Sequence, residues 1–397
     1  MASVWLFLLV FTAIACGWLL GRFAGGASPL PGGVSKAYRD YFRGLNYLLN
    51  DQPDEAIDTF IATLEVSKET LETHIALGNL MRRKGDVERA IRIHHNLLAR
   101  PQLPPLQMQR ASLELARDYI SAGLYDRAEQ LLQELVQGSE ELRAICLRHL
   151  IEIYQAERDW TKAIETATRL LPRRNLFLSA PDPDPELDGA IAHFHCELAQ
   201  TALDKNEFDG ARAHLQQALI RDSKSARASL LQGLLEYRTG HFQAAIDALQ
   251  RIPQQNPALV PESLDTLRAC YDSLGKREQV SVYLRQCLTQ YPSTRVALAI
   301  VEEIGHSEGG DSAQQFLLEQ MRARPTLRGL QHLIPLQRSG DSAISTEILQ
   351  ALLQKMASNK PAYQCTQCGF SGRQLHWQCP SCKHWNTLQP IVGSEGD

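Results

Sequence analysis

Hydrophobic and polar positions divide the chain into four stretches of different rhythm. Residues 2–21 carry no charge and are rich in Leu, Val, Phe, Ile and Trp. Twenty helical residues rising about 1.5 Å each span about 30 Å, the thickness of a bilayer core. This pattern predicts a single transmembrane anchor. Residues 22–37 lose all apolar periodicity and are dominated by Gly and Pro, so they read as a linker. From residue 38 to 357 apolar residues recur at helical spacing, broken by short gaps roughly every 34 residues. Residues 358–397 form a short, cysteine-bearing tail module.

The recurrence in the third stretch is the tetratricopeptide period, and it predicts about nine helix pairs stacked into a superhelix. The unit around Ala76-Leu77-Gly78-Asn79-Leu80 shows it best. Gly78 is the small residue where the first helix meets the second, Gly85-Asp86 is the turn, and Ala90 is the small residue of the second helix. With Gly78 as the anchor point, Gly44, Ala116, Ile151, Ala199, Gly233, Arg268, Val301 and Leu333 are its equivalents. Twelve residues past each of these nine positions stand Ala56, Ala90, Ala128, Ala163, Ala211, Ala245, Val280, Ala313 and Ser345. Seven of the nine are Ala, as expected where two antiparallel helices cross too closely for a larger side chain. Pro257, Pro292 and Pro325 fall late in three units and are expected to end second helices. One unit is wider, and its acidic insert Ala180-Pro-Asp-Pro-Asp-Pro-Glu-Leu-Asp188 is expected to form an exposed, non-helical loop. A calcium loop does not fit there, because Leu187 stands where Gly is needed and Pro183 and Pro185 stiffen the turn.

The flanks of the apolar stretch set its orientation. Nothing basic precedes it, whereas Arg22, Lys36, Arg39 and Arg43 follow, so the positive-inside rule places the bulk of the chain in the cytoplasm. The missing basic segment before the apolar run favours a retained anchor over a cleaved leader, although small residues follow at Ala24 to Ala27. Ala13, Gly17 and Gly21 form a small-residue stripe suited to close approach by another membrane helix. The net charge of −4 argues against nucleic acid as a partner.

The strongest chemical signal lies in the tail. Cys365-Thr-Gln-Cys368 and Cys379-Pro-Ser-Cys382 are separated by ten residues, and two such knuckles complete a tetrahedron around one metal ion. Gly369 permits the left-handed turn after the second ligand, and Pro380 stiffens the second knuckle. Trp377 and Trp385 are placed to cover the centre. Lys360, Arg373 and Lys383 are candidates to offset the net −2 charge of four thiolates on a divalent ion. Zinc is the default ion and iron the alternative, since both accept four thiolates. Four thiolates leave no open position for a substrate, so the role is structural or docking. Thiolate ligands also point to a reducing compartment. Cys16, Cys146, Cys196, Cys270 and Cys287 are scattered and read as buried, inert thiols.

Repeat register assigns Asn79, Arg82, Arg83, Arg117, Arg148, Tyr237 and Arg238 to the concave groove, as a partly basic cradle for an acidic or extended partner. His193 and Cys196 fall on groove positions too. His94 and His95 read as packing and surface. No nucleophile elbow, zinc-protease, P-loop or dinucleotide motif is present, so nothing in the chain demands an enzyme.

The order of anchor, linker, repeats and knuckles resembles the lipopolysaccharide assembly protein B family of Gram-negative bacteria. The stretches that carry the resemblance are Gly44-Leu-Asn-Tyr-Leu-Leu49, Leu77-Gly-Asn-Leu80, Arg89-Ala-Ile-Arg-Ile-His94, Asp118-Tyr119, Ala122-Gly-Leu-Tyr-Asp-Arg-Ala-Glu129 and Cys365 to Trp385. The resemblance implies a non-enzymatic, single-pass inner-membrane adaptor that faces the cytoplasm and restrains lipopolysaccharide synthesis. It would bring the LpxC deacetylase to the FtsH protease, opposed by a membrane regulator of the PbgA/YejM type. The other function open to such a chain is a scaffold for lipopolysaccharide synthesis or transport proteins with no part in proteolysis. By the same resemblance Cys365, Cys368, Cys379 and Cys382 carry over as the ligands of a rubredoxin-like module. Monomer and dimer both stay open.

Overall fold

The computed structural model describes residues 71–99, 104–171, 184–336 and 360–391, together with Thr12, Ala15, Trp18, Arg43, Gly44, Asn46, Tyr47, Glu55 and Thr59. The predicted span 2–21 lies outside these residues except for Thr12, Ala15 and Trp18, which are helical. So do the linker 22–37, the stripe of Ala13, Gly17 and Gly21, and Cys16. Among the described residues no helix is long and apolar enough to cross a membrane. What is described is a mainly helical repeat array followed by a small strand-containing module with four cysteines. It falls into two compact units that divide between His149 and Leu150.

Among the described residues the first unit holds two helix hairpins and the start of a fifth helix. These are α1 (Leu71–Lys84) with α2 (Val87–Leu98), α3 (Pro105–Ser121) with α4 (Tyr125–Gly138), and the first part of α5 (Glu140–Glu157). The second unit continues with α6 (Trp160–Thr168), α7 (Pro185–Asp204), α8 (Phe208–Arg221), α9 (Ala226–Arg238), α10 (Phe242–Leu249) and the short α11 (Ile252–Gln255). A 3-10 turn at Pro257–Ser263 leads to α12 (Leu264–Ser273), α13 (Arg277–Gln290), α14 (Thr294–Ser307), α15 (Gly310–Ala323) and α16 (Leu327–Leu336). The module follows as β1 (Tyr363–Cys365), β2 (Ser371–Gly372) and β3 (Leu388–Pro390), paired antiparallel in the order β2-β1-β3.

The 34-residue rhythm has a physical cause that the structure makes visible. Ala90, Ala128, Ala163, Ala211 and Ala245 are fully buried, and Val280 and Ala313 nearly so. A side chain at Gly78 would collide with the His94 ring, and one at Gly233 would sit 2.5 Å from Leu249 Cγ. Six hairpins also turn in the same way. Gly85, Gly123, Gly240 and Gly275 have positive φ, seven residues past the anchor positions, and Arg158 and Asn206 hold the same conformation without being Gly. The next amide then closes on the carbonyl five residues back, as in Asp86 to Met81, Leu124 to Tyr119, Asp159 to Tyr154, Glu207 to Ala202, His241 to Glu236 and Lys276 to Tyr271. This closure satisfies carbonyls that the helix end would leave bare. Asp86 and Asp159 then accept from the amides of Arg89 and Lys162 and start the second helices.

The expectation of an irregular loop through residue 188 needs correction. Residues 180–183 lie outside the described set, but α7 already begins at Pro185. Proline suits the first helical position, where its missing N–H has no partner to lose. Asp184 caps the helix by accepting from the Leu187 amide, and Glu186 and Asp188 in the first turn favour the positive end of the helix dipole. Pro257 also departs from a plain helix stop: it opens the 3-10 turn, with Asn256 accepting from the Ala258 amide.

Substituting Gly233 with Val tests the close crossing. The branched side chain must displace Leu249, which is fully buried, and overpacking of this kind costs about 1–3 kcal/mol. Urea unfolding followed by circular dichroism should show a lower midpoint, and an unchanged midpoint would contradict the packing described.

Candidate metal centre

The module is too small to rest on its apolar core, which among buried residues is Tyr363, Cys365, Cys379 and Leu388. Its organisation comes from two matching turns. In the first, the Cys365 amide donates to Phe370 O and the Gly369 amide donates back to Cys365 O. In the second, the Cys379 amide donates to His384 O and the Lys383 amide to Cys379 O. Gly369 and Lys383 each follow the second cysteine of their knuckle, and each has positive φ (77° and 61°). The left-handed turn expected at Gly369 is therefore repeated at Lys383, where a side chain must tolerate it.

These turns bring Cys365, Cys368, Cys379 and Cys382 together, with all four sulfurs within 4.8 Å of one another. Cys365 Sγ lies 3.7 Å from Cys382 Sγ, and Cys368 Sγ lies 3.7 Å from Cys379 Sγ. A tetrahedron with metal–sulfur bonds of about 2.3 Å has edges of about 3.8 Å. The set therefore fits one metal ion. The protonation pattern supports this. Burial raises the Cys365 thiol, but hydrogen bonding from Thr387 and from the Cys368 and Gln367 amides outweighs it and brings the group to about 6. The Phe370 amide lowers Cys368. For Cys382 the His384 amide favours the thiolate, yet burial and the three neighbouring sulfurs win and push it to about 12. Four thiolates cannot crowd together without a cation at their centre, and a bound divalent ion supplies that charge.

The two tryptophans expected over the centre also dock the module. They face the repeat helices of the second unit. Trp385 stacks on His193 of α7 at 4.8 Å between ring centroids, and packs edge-on to Trp160 of α6 and Phe194 of α7. Its indole N–H donates to Gln155 Oε1 on α5 at 2.9 Å, and Gln378 donates to the same oxygen. Arg227 of α9 is 5 % exposed and lies 5.5 Å from the Trp377 ring and 6.0 Å from the Trp385 ring. It pairs with Glu197 at 2.9 Å, while its Nε and Nη1 have no hydrogen-bond partner and meet the indole faces instead. His193 falls on a groove position but is buried against Trp385 of the module. Cys196, at a groove position too, is the buried thiol expected and packs among Ala192, Ala199 and Ala228 of the repeat helices. A second seam joins the module to the far end of the unit: Tyr363 Oη donates to Glu262 at 2.6 Å, and Arg295 reaches both.

Burial changes what these groups can do. His193 falls to about 3, driven first by burial and then by the Arg227 charge, so it stays neutral at ordinary pH. Burial pushes Cys146 up to about 11, Cys196 to about 12 and Cys270 to about 11, and it raises Cys287 as well, which suits inert core thiols.

The residues assigned to the repeat groove have mixed settings. In the first unit Arg82 donates to Asp118 at 2.6 Å, to Glu114 at 2.8 Å and to Asn79 at 2.7 Å. Arg117 donates to the other oxygen of Glu114 and to His149, and His94 bonds Asp118. Asn79, Arg82 and Arg117 thus belong to one network that ties α1, α2 and α3 together. Arg83 and Arg148 are exposed. In the second unit Tyr237 packs against Phe242, and Arg238 is exposed and donates to Leu203 O. Sequence reasoning missed Gln155, Trp160, Phe194 and Arg227 as docking residues. Their only sequence signal is aromatic or charged character on repeat helices, which any repeat protein shows.

Comparison with known proteins agrees with this geometry. Residues 363–390 match the family model described as a rubredoxin metal binding domain, and residues 73–106 and 196–259 match tetratricopeptide repeat models. The chain is 35% identical over 395 residues to lipopolysaccharide assembly protein B of Escherichia coli strain K12, covering 98% of this chain and 99% of that protein. The chain belongs to the lipopolysaccharide assembly protein B family. A relative of the same name in Haemophilus influenzae is 32% identical, with 98% of each chain covered. The match runs through repeats and module alike, so the docking surfaces and the sulfur cluster lie inside the shared region.

Two outcomes separate metal binding from docking. Replacing Cys379 and Cys382 with Ser should abolish bound metal in elemental analysis and red-shift tryptophan emission, with most helical signal kept. Trp385→Ala should retain the ion yet release the module, costing about 2–4 kcal/mol of docking and raising amide exchange in α6 and α7. Acid gives a further test. His193 binds a proton near 6.5 when unfolded but only near 3 when folded, so below about pH 6.5 the unfolded state holds the extra proton. Each further pH unit should then remove roughly 1.4 kcal/mol of stability until the folded group titrates. His193→Phe should flatten this slope in pH-dependent urea melts.

Proposed function

We propose that the chain is a non-enzymatic adaptor of lipopolysaccharide assembly, held in the inner membrane by residues 2–21 with repeats and module in the cytoplasm. It recruits the LpxC deacetylase to the FtsH protease, and a membrane regulator of the PbgA/YejM type opposes it. The metal ion is zinc, bound by Cys365, Cys368, Cys379 and Cys382. Of the groove set, Arg83, Arg148 and Arg238 are exposed and contribute to partner contacts, while Asn79, Arg82, Arg117 and Tyr237 serve mainly to shape their own helices.

One observation carries this reading: a sulfur centre with no open coordination position is spent on fastening a module to a helical repeat surface. Four sulfurs at tetrahedral spacing use every ligand position. Trp377 and Trp385 then face helices rather than a substrate cavity. The product of the fold is a shaped surface, which suits recognition. Family membership directs that surface to lipopolysaccharide assembly. An adaptor acts through effective concentration, since holding a substrate beside a protease converts a search in solution into a local encounter.

The half-life of LpxC in cells with and without the chain tests the reading. It should be short with the full chain and prolonged without it, and a form lacking residues 2–21 should keep its helices but fail to shorten it. An LpxC half-life indifferent to the chain would leave the scaffold role without proteolysis as the function.

A further inference from the structure

A cleft of about 270 Å³ opens between the module and the last described helices of the second unit. It is lined by Arg295, Arg328, Ala362, Tyr363, Arg373 and Pro390. Arg295 and Arg328 come from α14 and α16 on the repeat side, and Arg373 comes from the module. We propose that this cleft is a docking site for an acidic peptide segment of a partner protein, whose carboxylates the Arg328 and Arg373 guanidiniums hold.

The charge balance makes the case. Arg295 is fixed by Glu262 at 2.5 Å, with Tyr363 Oη and the Pro261 carbonyl beside it. Glu262 also accepts from Tyr363. Among the described residues Glu262 is the carboxylate that meets this wall, and Arg295 takes it up. Arg328 and Arg373 have no ion pair or side-chain hydrogen bond among the described residues. Other arginines of the second unit, such as Arg322 and Arg324, also lack an ion pair among the described residues, but they stand exposed; Arg328 and Arg373 differ in lining one cleft together. The surplus is local, since the chain as a whole carries a net charge of −4. Like charges gathered in a cleft repel one another, and an incoming carboxylate relieves that repulsion while gaining forked hydrogen bonds. The Glu262–Arg295 pair shows that a carboxylate already suits this wall.

Size and shape select the ligand. The space admits one or two side chains, and Ala362 and Pro390 offer apolar contact for their aliphatic parts. A bilayer presents a plane of headgroups and cannot enter a concave cleft, so a protruding peptide is favoured over a lipid surface. This recognition mode reads acidic motifs through arginine clusters. It is independent of the proteolytic role: LpxC turnover could fail its test while the cleft still bound acidic peptide, and the reverse.

The test uses the full metal-loaded chain purified in detergent and a fluorescein-labelled hexaglutamate peptide, read by anisotropy at low and high salt. Binding should occur at low salt, weaken as salt rises and be absent for hexaglutamine. The double variant Arg328→Gln with Arg373→Gln should weaken it by about tenfold or more, while Arg322→Gln, an exposed cation on α15, should leave it unchanged. Metal content and circular dichroism check folding. If the double variant is damaged, the exposed Arg373→Gln alone is read, with a loss of about threefold expected. Double-variant binding within about twofold of the parent, or equal binding of hexaglutamine, would overturn the proposal. So would displacement of the peptide by inorganic phosphate or glycerol phosphate at lower concentration than free glutamate, which would make the cleft a phosphate or lipid-headgroup site.

Discussion

The second unit depends on one buried cation. Arg227 is almost wholly removed from water, and it has a single carboxylate partner in Glu197. A charge in that position is costly unless its remaining faces find something that substitutes for water. Trp377 and Trp385 do this with their indole faces, and neither residue belongs to the repeats. The repeat surface is thus unfinished on its own. It carries a cation, a histidine held neutral and a tryptophan in Trp160, all waiting for the same two rings. Without the module the guanidinium would be left with unpaired nitrogens on an open helix face, where water would have to take over the role of the indoles.

The dependence runs in both directions. The module has three short strands and few buried apolar residues, so it cannot orient two tryptophans by core packing alone. The second knuckle does that work. Cys379 and Cys382 close a turn in which Trp377 and Trp385 flank the ligands, and the Asn386 amide donates to Trp377 O across it. Fixing the sulfurs fixes the indoles, and fixing the indoles satisfies Arg227. The metal centre therefore acts at a distance through rigid geometry. This explains why a closed centre, with no position free for chemistry, is worth the maintenance of four thiolates.

Much of this fold could be read in the chain before any coordinates. The alanines at Ala90, Ala128, Ala163, Ala211 and Ala245 announce their burial because close helix crossing permits little else. The cysteine knuckles announce their cluster because spacing dictates geometry. What could not be read was the use of surfaces. Trp385 reads from the sequence as a cover for the sulfurs, whereas its stacking on His193 and its bond to Gln155 have no sequence signal. Nothing in periodicity tells a groove residue from one buried by a later module, as His193 beneath Trp385 shows. Arg82 and Arg117 show the same limit: a basic residue at a groove register looks alike whether it awaits a partner or is already held by Glu114. Pro185 shows how a local rule can mislead. A run of prolines reads as helix-free, yet the last of them begins α7 because the first turn of a helix is where a missing N–H costs least.

These limits also indicate where recognition resides. A cation already satisfied by its own chain has little left to offer a partner, since binding would first have to break the internal pair. Arg82, with Glu114, Asp118 and Asn79 around it, is spent on holding α1 to α3. Exposed cations such as Arg83 and Arg148 contribute charge but no enclosure, and surface pairs of that kind are worth little in water. Specific recognition needs charge and enclosure at the same place. Among the described residues those conditions coincide where the module meets the end of the repeats, because the docking that satisfies Arg227 at one seam also brings Arg373 opposite Arg295 and Arg328 at the other. If the sulfur centre orients the whole module, it orients both seams, and the surface offered to partners is then a product of metal binding as much as of the repeats.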